Sequence, residues 1–223
     1  EYNKPEWGRF TQNGKLLYAH VFEEQAGAIA LGDMVGKIKK MRLLKDGSEV
    51  LQSNYWNLKE YEKKIVAVRL LEMSIVGVTG DFSLKHFIEI HKKLFGDVYF
   101  FAGEFRRENI AKGSFRFADY RYMENEITRL FQIISKDNIM GNKSIEKDIL
   151  AEKLAYYSAE LNVLHPFREG NGRTIREYIR QMALKLGYIM NYRRISVQEY
   201  ITASIFSITD ISKLKEIYNI NWK

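Results

Sequence analysis

From Ser53 onward, apolar positions recur every three or four residues. Tyr61, Ile65, Val68, Leu71 and Ile75 predict a helix with one buried face, stopped by Gly77 and Gly80. Ser83 caps a second helix with Leu84, Phe87, Ile88, His91 and Phe95 on its apolar side. His86 and His91 lie on that helix without enough further ligands for a metal site, so they read as satisfied core or surface histidines. Val98 to Phe101 is β-prone, and Glu104 to Ala118 reads as two short strands joined by a turn near Lys112-Gly113-Ser114. Such a lone hairpin is either a stabilising ribbon or a tool for binding an extended segment by strand addition. Helical spacing resumes over Arg121 to Ser135 through Ile127, Leu130, Phe131 and Ile134. Ser144 then caps a long helix whose stripe is Ile149, Leu150, Leu154, Tyr157, Ser158, Leu161 and Leu164. A further helix, Arg173 to Leu186, turns Ile175, Ile179, Met182, Ala183 and Leu186 inward and leaves Arg173, Arg176 and Arg180 on the other side, with Gly187 as its stop. Val197 to Phe206 and Ile211 to Tyr218 close the chain as two shorter helices. The pattern predicts an all-α helical bundle carrying one small β-hairpin.

Residues 1–36 carry no such rhythm and are read as an extension without an assigned function. Tyr2 to Gly14 is irregular or a hairpin with an Asn-Gly turn, and Leu16 to Val35 is a candidate helix weakened by Gly27 and Gly32. Lys37 to Lys45 is basic, which reads as a solvated helix face before it reads as a nucleic-acid patch. No internal repeat, low-complexity tract or Pro- or Gly-rich linker divides the remainder.

The 223 residues, 46% apolar and 13% aromatic, suffice for one folded domain with a sizeable core. A net charge of +7 would attract a polyphosphate or an acidic surface, but a Lys-rich composition gives the same balance with no such use. With no cysteine, disulfides and thiolate metal sites are excluded and a reducing, cytoplasmic setting is expected. No secretory signal pattern opens the chain, whose first residue is Glu rather than Met, as in an excerpt. The most apolar stretch, Ile65 to Val78, contains Arg69 and Glu72 and is too short to span a bilayer, so a soluble protein is expected.

The chemistry concentrates in HPFREGNGRTIR, His165 to Arg176. Pro166 should end the long helix near Leu164 and push His165 into an extended conformation. Gly170-Asn171-Gly172 can turn successive amides inward and, with the next helix N-terminus, form an anion-binding nest. Arg173 and Arg176 fall on one side of the first helical turn. Such parts suit a polyphosphate, with His165 as a base for an incoming hydroxyl. A carboxylate in a nest built for anions would repel the ligand unless a cation lay between, so Glu169 implies Mg²⁺.

These residues resemble the hallmark of the Fic family, H-P-F-x-[D/E]-G-N-G-R-x-x-R, at every position. TGDFSLKHFIEIHKKLFGDVYFFAGEFR is also close to the family's usual wording, and the resemblance covers roughly residues 40–220. It implies a Fic-type bundle over 37–223 and transfer of AMP from ATP to a Ser, Thr or Tyr hydroxyl of a target protein, releasing pyrophosphate. His165 would be the general base and Glu169 the Mg²⁺ ligand. Gly170, Asn171 and Gly172 would cradle the phosphates, with Arg173 and Arg176 on the outer ones. Lys112 to Phe117, with Lys112, Gly113, Ser114 and Phe115 at its tip, would be the flap that aligns the target. Relatives called Doc carry bulkier residues at the central glycines and transfer phosphate, so an intact Gly-Asn-Gly favours nucleotidyl transfer.

Fic enzymes are commonly silenced by a helix bearing [S/T]-x-x-x-E-[G/N]. Here only Ser212 with Glu216 has the spacing, and Ile217 follows instead of Gly or Asn. If the chain is complete, the expectation is a separate small antitoxin supplying that Glu to Arg176, as in toxin–antitoxin pairs of this family; an effector delivered to a host cell is the other expectation. Two other readings stand beside AMP transfer: movement of another phosphate-linked group, UMP or phosphocholine, and a nucleotide-binding module without turnover. Membrane and nucleic-acid partners are not expected.

Overall fold

The computed structural model describes residues 8–13, 16–21, 41–42, 49–50, 58–78, 80–113, 115–142, 144–190, 192 and 195–220. Among these, seven helices and three small antiparallel ladders follow in order. The ladders are β1 (Gly8–Asn13) with β2 (Leu16–Val21), β3 (Met41–Arg42) with β4 (Glu49–Val50), and β5 (Ala111–Lys112) with β6 (Phe115–Arg116). The helices are α1 (Leu58–Val76), α2 (Leu84–Phe95), α3 (Tyr120–Asp137), α4 (Lys147–Leu164), α5 (Asn171–Lys185), α6 (Val197–Phe206) and α7 (Ser212–Ile220).

α4 and α5 lie at the centre. α2 packs on α5, α1 and α3, while α7 packs on α4 and α6. The core is aromatic where α2, α3, α5 and the loop after α4 meet. Phe87 stacks on Phe167 at 5.5 Å and meets the edge of Tyr178 at 5.4 Å, and Phe131 closes the group. The Tyr178 hydroxyl donates to the Phe82 carbonyl at 2.6 Å, so this buried ring carries no unmet polar atom. Ser83 caps α2, as its sequence position requires, by accepting from the His86 N–H.

Several boundaries and faces differ from the sequence reading. α4 starts at Lys147 with Glu146 as its N-cap; Ser144 instead donates its N–H to Asn142 in the preceding turn. Ile149 is half exposed, whereas the rest of the α4 stripe is buried. Leu16–Val21 is a strand paired with Gly8–Asn13, not the start of a helix, with Leu16 opposite Asn13 and Val21 opposite Gly8. Met41–Arg42, placed in a basic helix face, is likewise a strand; the rest of 22–40 and 43–48 lies outside the described residues. Val98 to Phe101 forms turns.

The main correction concerns α1. Tyr61, Val68, Leu71 and Ile75 of its predicted buried stripe are exposed, and the face that packs on α2 carries Glu62, Val66 and Met73. Charged residues interrupt the apolar ones on every side of this helix, so periodicity alone could not choose the buried face. On this packing, Leu71→Ala should change unfolding free energy by no more than ~0.5 kcal/mol and Phe87→Ala should cost about 3–5 kcal/mol, measured by urea denaturation.

Candidate active site

α4 ends in a helix cap made by a histidine. His165 is left-handed, φ 46° and ψ 60°, and its N–H donates to the Leu161 carbonyl at 3.0 Å. The extended conformation expected before Pro166 is not adopted. The left-handed turn completes the α4 cap and leaves the His165 carbonyl facing a buried arginine, which offsets the roughly 1–2 kcal/mol such a backbone costs a residue other than glycine. That arginine is Arg106. Its Nε donates to the His165 carbonyl at 2.8 Å and its terminal nitrogens to the carbonyls of Leu164, Glu108 and Ala118. Its own N–H reaches the Pro166 carbonyl at 2.9 Å.

The imidazole of His165 is equally constrained. Nδ1 lies 3.2 Å from the Asn162 carbonyl, which can only accept, so Nδ1 carries the proton and Nε2 the lone pair. Phe117, just past β6, stacks on the ring at 3.8 Å. Burial lowers the His165 pKa to about 4, with the charges of Arg106 and Lys112 acting in the same direction against the Asn162 carbonyl. The ring is thus neutral at pH 7, as a proton acceptor must be.

The following loop is pinned by two groups. Asn171 is buried, and its side chain accepts from the Phe167 N–H at 2.9 Å and donates to the Phe167 carbonyl at 2.7 Å. That side chain therefore closes the loop; what Asn171 offers a ligand is its main-chain amide. His91, on α2, accepts from the Gly103 N–H at 2.8 Å through Nδ1, which leaves Nε2–H to donate to the Glu169 carbonyl at 3.0 Å. Its ring stacks on Phe167 at 3.7 Å, and burial pushes its pKa down to about 4, so it stays neutral. His91 is the satisfied core histidine the sequence suggested, and it also holds the motif in place.

α5 begins at Asn171, two residues before the predicted start. The amides of Asn171 and Gly172 therefore belong to its first turn, where a helix supplies no carbonyl for them. The two glycines serve different ends. Gly170 has φ +82°, and a Cβ there would lie 2.4 Å from the Phe95 ring, so packing excludes any side chain. At Gly172 a Cβ would meet nothing nearer than an Arg176 nitrogen at 3.5 Å. Protein packing does not require a glycine at that position, which points to close approach by a ligand.

Glu169 is exposed, its Oε1 accepting from the Gly170 N–H at 3.0 Å and lying 3.8 Å from Arg173. Arg173 lies over the Phe95 ring at 4.7 Å and pairs with Glu62. Arg176 lies over Tyr200 of α6 at 5.2 Å. Arg180, expected on the ligand side, is engaged instead with Glu177 through two contacts of 2.7 Å. At the flap, Lys112 and Gly113 are exposed and Phe115 meets Phe117 edge-on at 5.2 Å, linking the hairpin to His165; Ser114 lies outside the described residues. Glu216 is exposed on α7. Arg106 and Glu62 are the site residues that pattern reading missed, while Phe117, the last residue of the expected flap, covers the His165 ring. Among the described residues no group of three or more His, Asp or Glu could hold a metal by itself. One exposed carboxylate beside an amide nest fits Mg²⁺ arriving with phosphate oxygens, which needs only one or two carboxylates.

The Fic/DOC family model matches residues 81–183. The protein adenylyltransferase VbhT of Bartonella schoenbuchensis is 39% identical over 150 residues, 67% of this chain and 31% of that one, so the chain spans about a third of that relative. A Salmonella typhimurium protein named Fic is 35% identical over 136 residues, 60% of this chain and 67% of that one. Among solved structures, the BepC protein of Bartonella tribocorum with bound AMPPNP superposes with a TM-score of 0.69 at 20% identity, covering 80% of this chain and 94% of the other.

The glycine geometry separates folding from binding. Gly170→Ala should lower the melting temperature markedly, whereas Gly172→Ala should leave it unchanged or slightly higher and yet weaken ATP binding. Thermal melts with and without ATP measure both.

Proposed function

Because the chain belongs to the Fic/DOC family, we propose that it is a protein adenylyltransferase, moving AMP from ATP to a hydroxyl of a target protein. The observation that carries this is the fixed neutral His165, with Nε2 as its basic atom, beside a loop of helix-N-terminal amides and two arginines. The names of the relatives support the same reaction, and AMPPNP bound in BepC supports a nucleoside triphosphate as ligand.

In this reading the triphosphate lies along the Asn171 and Gly172 amides with its outer phosphates toward Arg173 and Arg176. The target Ser, Thr or Tyr enters past the flap. Nε2 of His165 takes the hydroxyl proton while the oxygen bonds to the α-phosphorus, and the bond to pyrophosphate breaks with its electrons leaving on the pyrophosphate oxygen. Glu169 would hold Mg²⁺, which neutralises charge on the departing group. The amides are preorganised by Asn171 and His91, so stabilising the extra charge costs little rearrangement. Restraint by a separate small protein that supplies an acidic group to Arg176 belongs to the same proposal, supported by the solvent-facing position of Glu216, the single spacing match within this chain. No described helix is long and apolar enough to cross a membrane. Action in the cytoplasm, or after delivery into another cell, is proposed from BepC, described as a VirB-translocated effector.

ATP labelled at the α-phosphate should mark protein in a cell lysate, ATP labelled at the γ-phosphate should not, and His165→Ala should lower the rate by roughly 10² to 10⁴. Label from the γ position would instead indicate phosphorylation. The lowered His165 pKa gives a second expectation. Base function is lost only as pH falls through the folded value, so the acid limb of kcat/KM should lie near pH 4 rather than near 6.5, and Phe117→Ala, by wetting the ring, should move it upward.

A further inference from the structure

α1 touches the nucleotide loop through one carboxylate. Glu62 is 9% exposed, and its two oxygens have different partners: Oε1 pairs with Nη1 of Arg173 and Oε2 accepts from the Tyr99 hydroxyl. Tyr99 is itself held, its ring stacked on Phe101 at 4.8 Å and on Phe95 at 6.0 Å. Phe95 also lies under the Arg173 guanidinium and against Gly170. Glu62, Tyr99 and Phe95 thus form a socket around the first motif arginine.

A buried ion pair is poor value for stability, because removing both charges from water costs about as much as their attraction returns. Val66 and Met73 already give α1 a buried apolar face, and packing of α1 on α2 requires no charge at position 62. The presence of a carboxylate there calls for another explanation. A free arginine side chain is flexible and loses much freedom when it grips an anion. One already fixed by a carboxylate on one nitrogen and an aromatic face beneath it presents its other N–H groups in a set direction.

We infer that Glu62 is a positioning residue for nucleotide binding: its buried carboxylate, braced by Tyr99, fixes Arg173 so that the remaining N–H groups face the phosphates held by the Gly170–Gly172 loop. This rests on the reading of Arg173 as a contact to the outer phosphates. It extends that reading to a residue outside the motif and outside the matched residues 81–183. The socket acts on ligands that carry outer phosphates and is indifferent to those that do not.

Calorimetric titration of the full chain with ATP and with AMP, at one fixed Mg²⁺ concentration, tests this. Glu62→Ala should weaken ATP binding roughly tenfold or more, the range for loss of a charge-assisted contact, while changing AMP binding less than twofold. Glu62→Gln keeps an acceptor without the charge and should fall between. Tyr99→Phe keeps the ring stack, removes the brace and should show the same ATP-selective loss at smaller size. A merely structural role would lower the melting temperature without separating ATP from AMP. Unchanged ATP affinity in a folded Glu62 variant, or equal weakening of ATP and AMP, would overturn the inference. If Glu62→Ala does not fold, Glu62→Gln and Tyr99→Phe make the same comparison. A wild-type chain that binds no ATP would overturn the adenylyltransferase reading, which the variants alone cannot do.

Discussion

Arg106 is 2% exposed, and a guanidinium so placed persists only when its N–H groups are met by acceptors. The carbonyls of Leu164, His165, Ala118 and Glu108 meet them. Two of these belong to the end of α4, where a helix leaves its last carbonyls without partners, and the other two to the strap that carries the flap into α3. One cation thus satisfies orphaned groups from two directions and ties the segments flanking the flap to the end of α4. The positive end charge also suits the negative end of the α4 dipole. His165 stands where it does because its carbonyl is one of those acceptors, and Phe117 covers its ring because the strap is held by the same atom group.

The loop beyond His165 extends this logic. Its carbonyls and side chains are spent on holding shape: Asn171 on Phe167, His91 on Glu169 and the Thr174 hydroxyl on the Gly170 carbonyl at 3.1 Å. What the geometry leaves toward a ligand are the first-turn amides of α5 and the arginines beside them. Rigid donors aimed at a fixed point favour the charge that develops in phosphoryl chemistry more than they favour the resting substrate. Both site histidines are kept neutral by burial for different purposes. His165 needs a lone pair, while His91 needs the tautomer that can accept from Gly103 and donate to Glu169 together.

The sequence disclosed the parts of this site that lie close together along the chain. His165 to Arg176 is one turn and one helix start, so local rules placed the helix end and the helix bearing the two arginines, though not the left-handed turn at His165. The Fic resemblance implied roles for them. The parts that come from a distance were hidden. Arg106 sits in an Arg-Arg pair in a segment without periodicity, and nothing local says which of the two is buried; the family-like run ending in AGEFR was the available hint. Glu62 lies on a helix whose charged and apolar residues are mixed on every side, where the spacing rule favoured the face that the structure leaves exposed. The choice depended on Tyr99 and Arg173, far along the chain. Asn171 illustrates a further limit, because the sequence named it as part of the phosphate cradle without showing that its side chain shapes the loop. The strand at Leu16–Val21 was missed because six residues of mostly apolar character fit either period, and only the pairing register settles it.

The proposed reaction requires this loop to be a preformed cradle for a triphosphate beside a neutral imidazole. A crystal structure of the protein with Mg²⁺ and a non-hydrolysable ATP analogue tests it most directly. The account predicts phosphate oxygens within hydrogen-bond distance of the Asn171 and Gly172 amides, Nε2 of His165 facing the side of the α-phosphorus opposite the pyrophosphate, and a 165–176 backbone unchanged from the one described above. A triphosphate bound elsewhere, or a loop that refolds to receive it with the His165 ring turned away, would contradict the account.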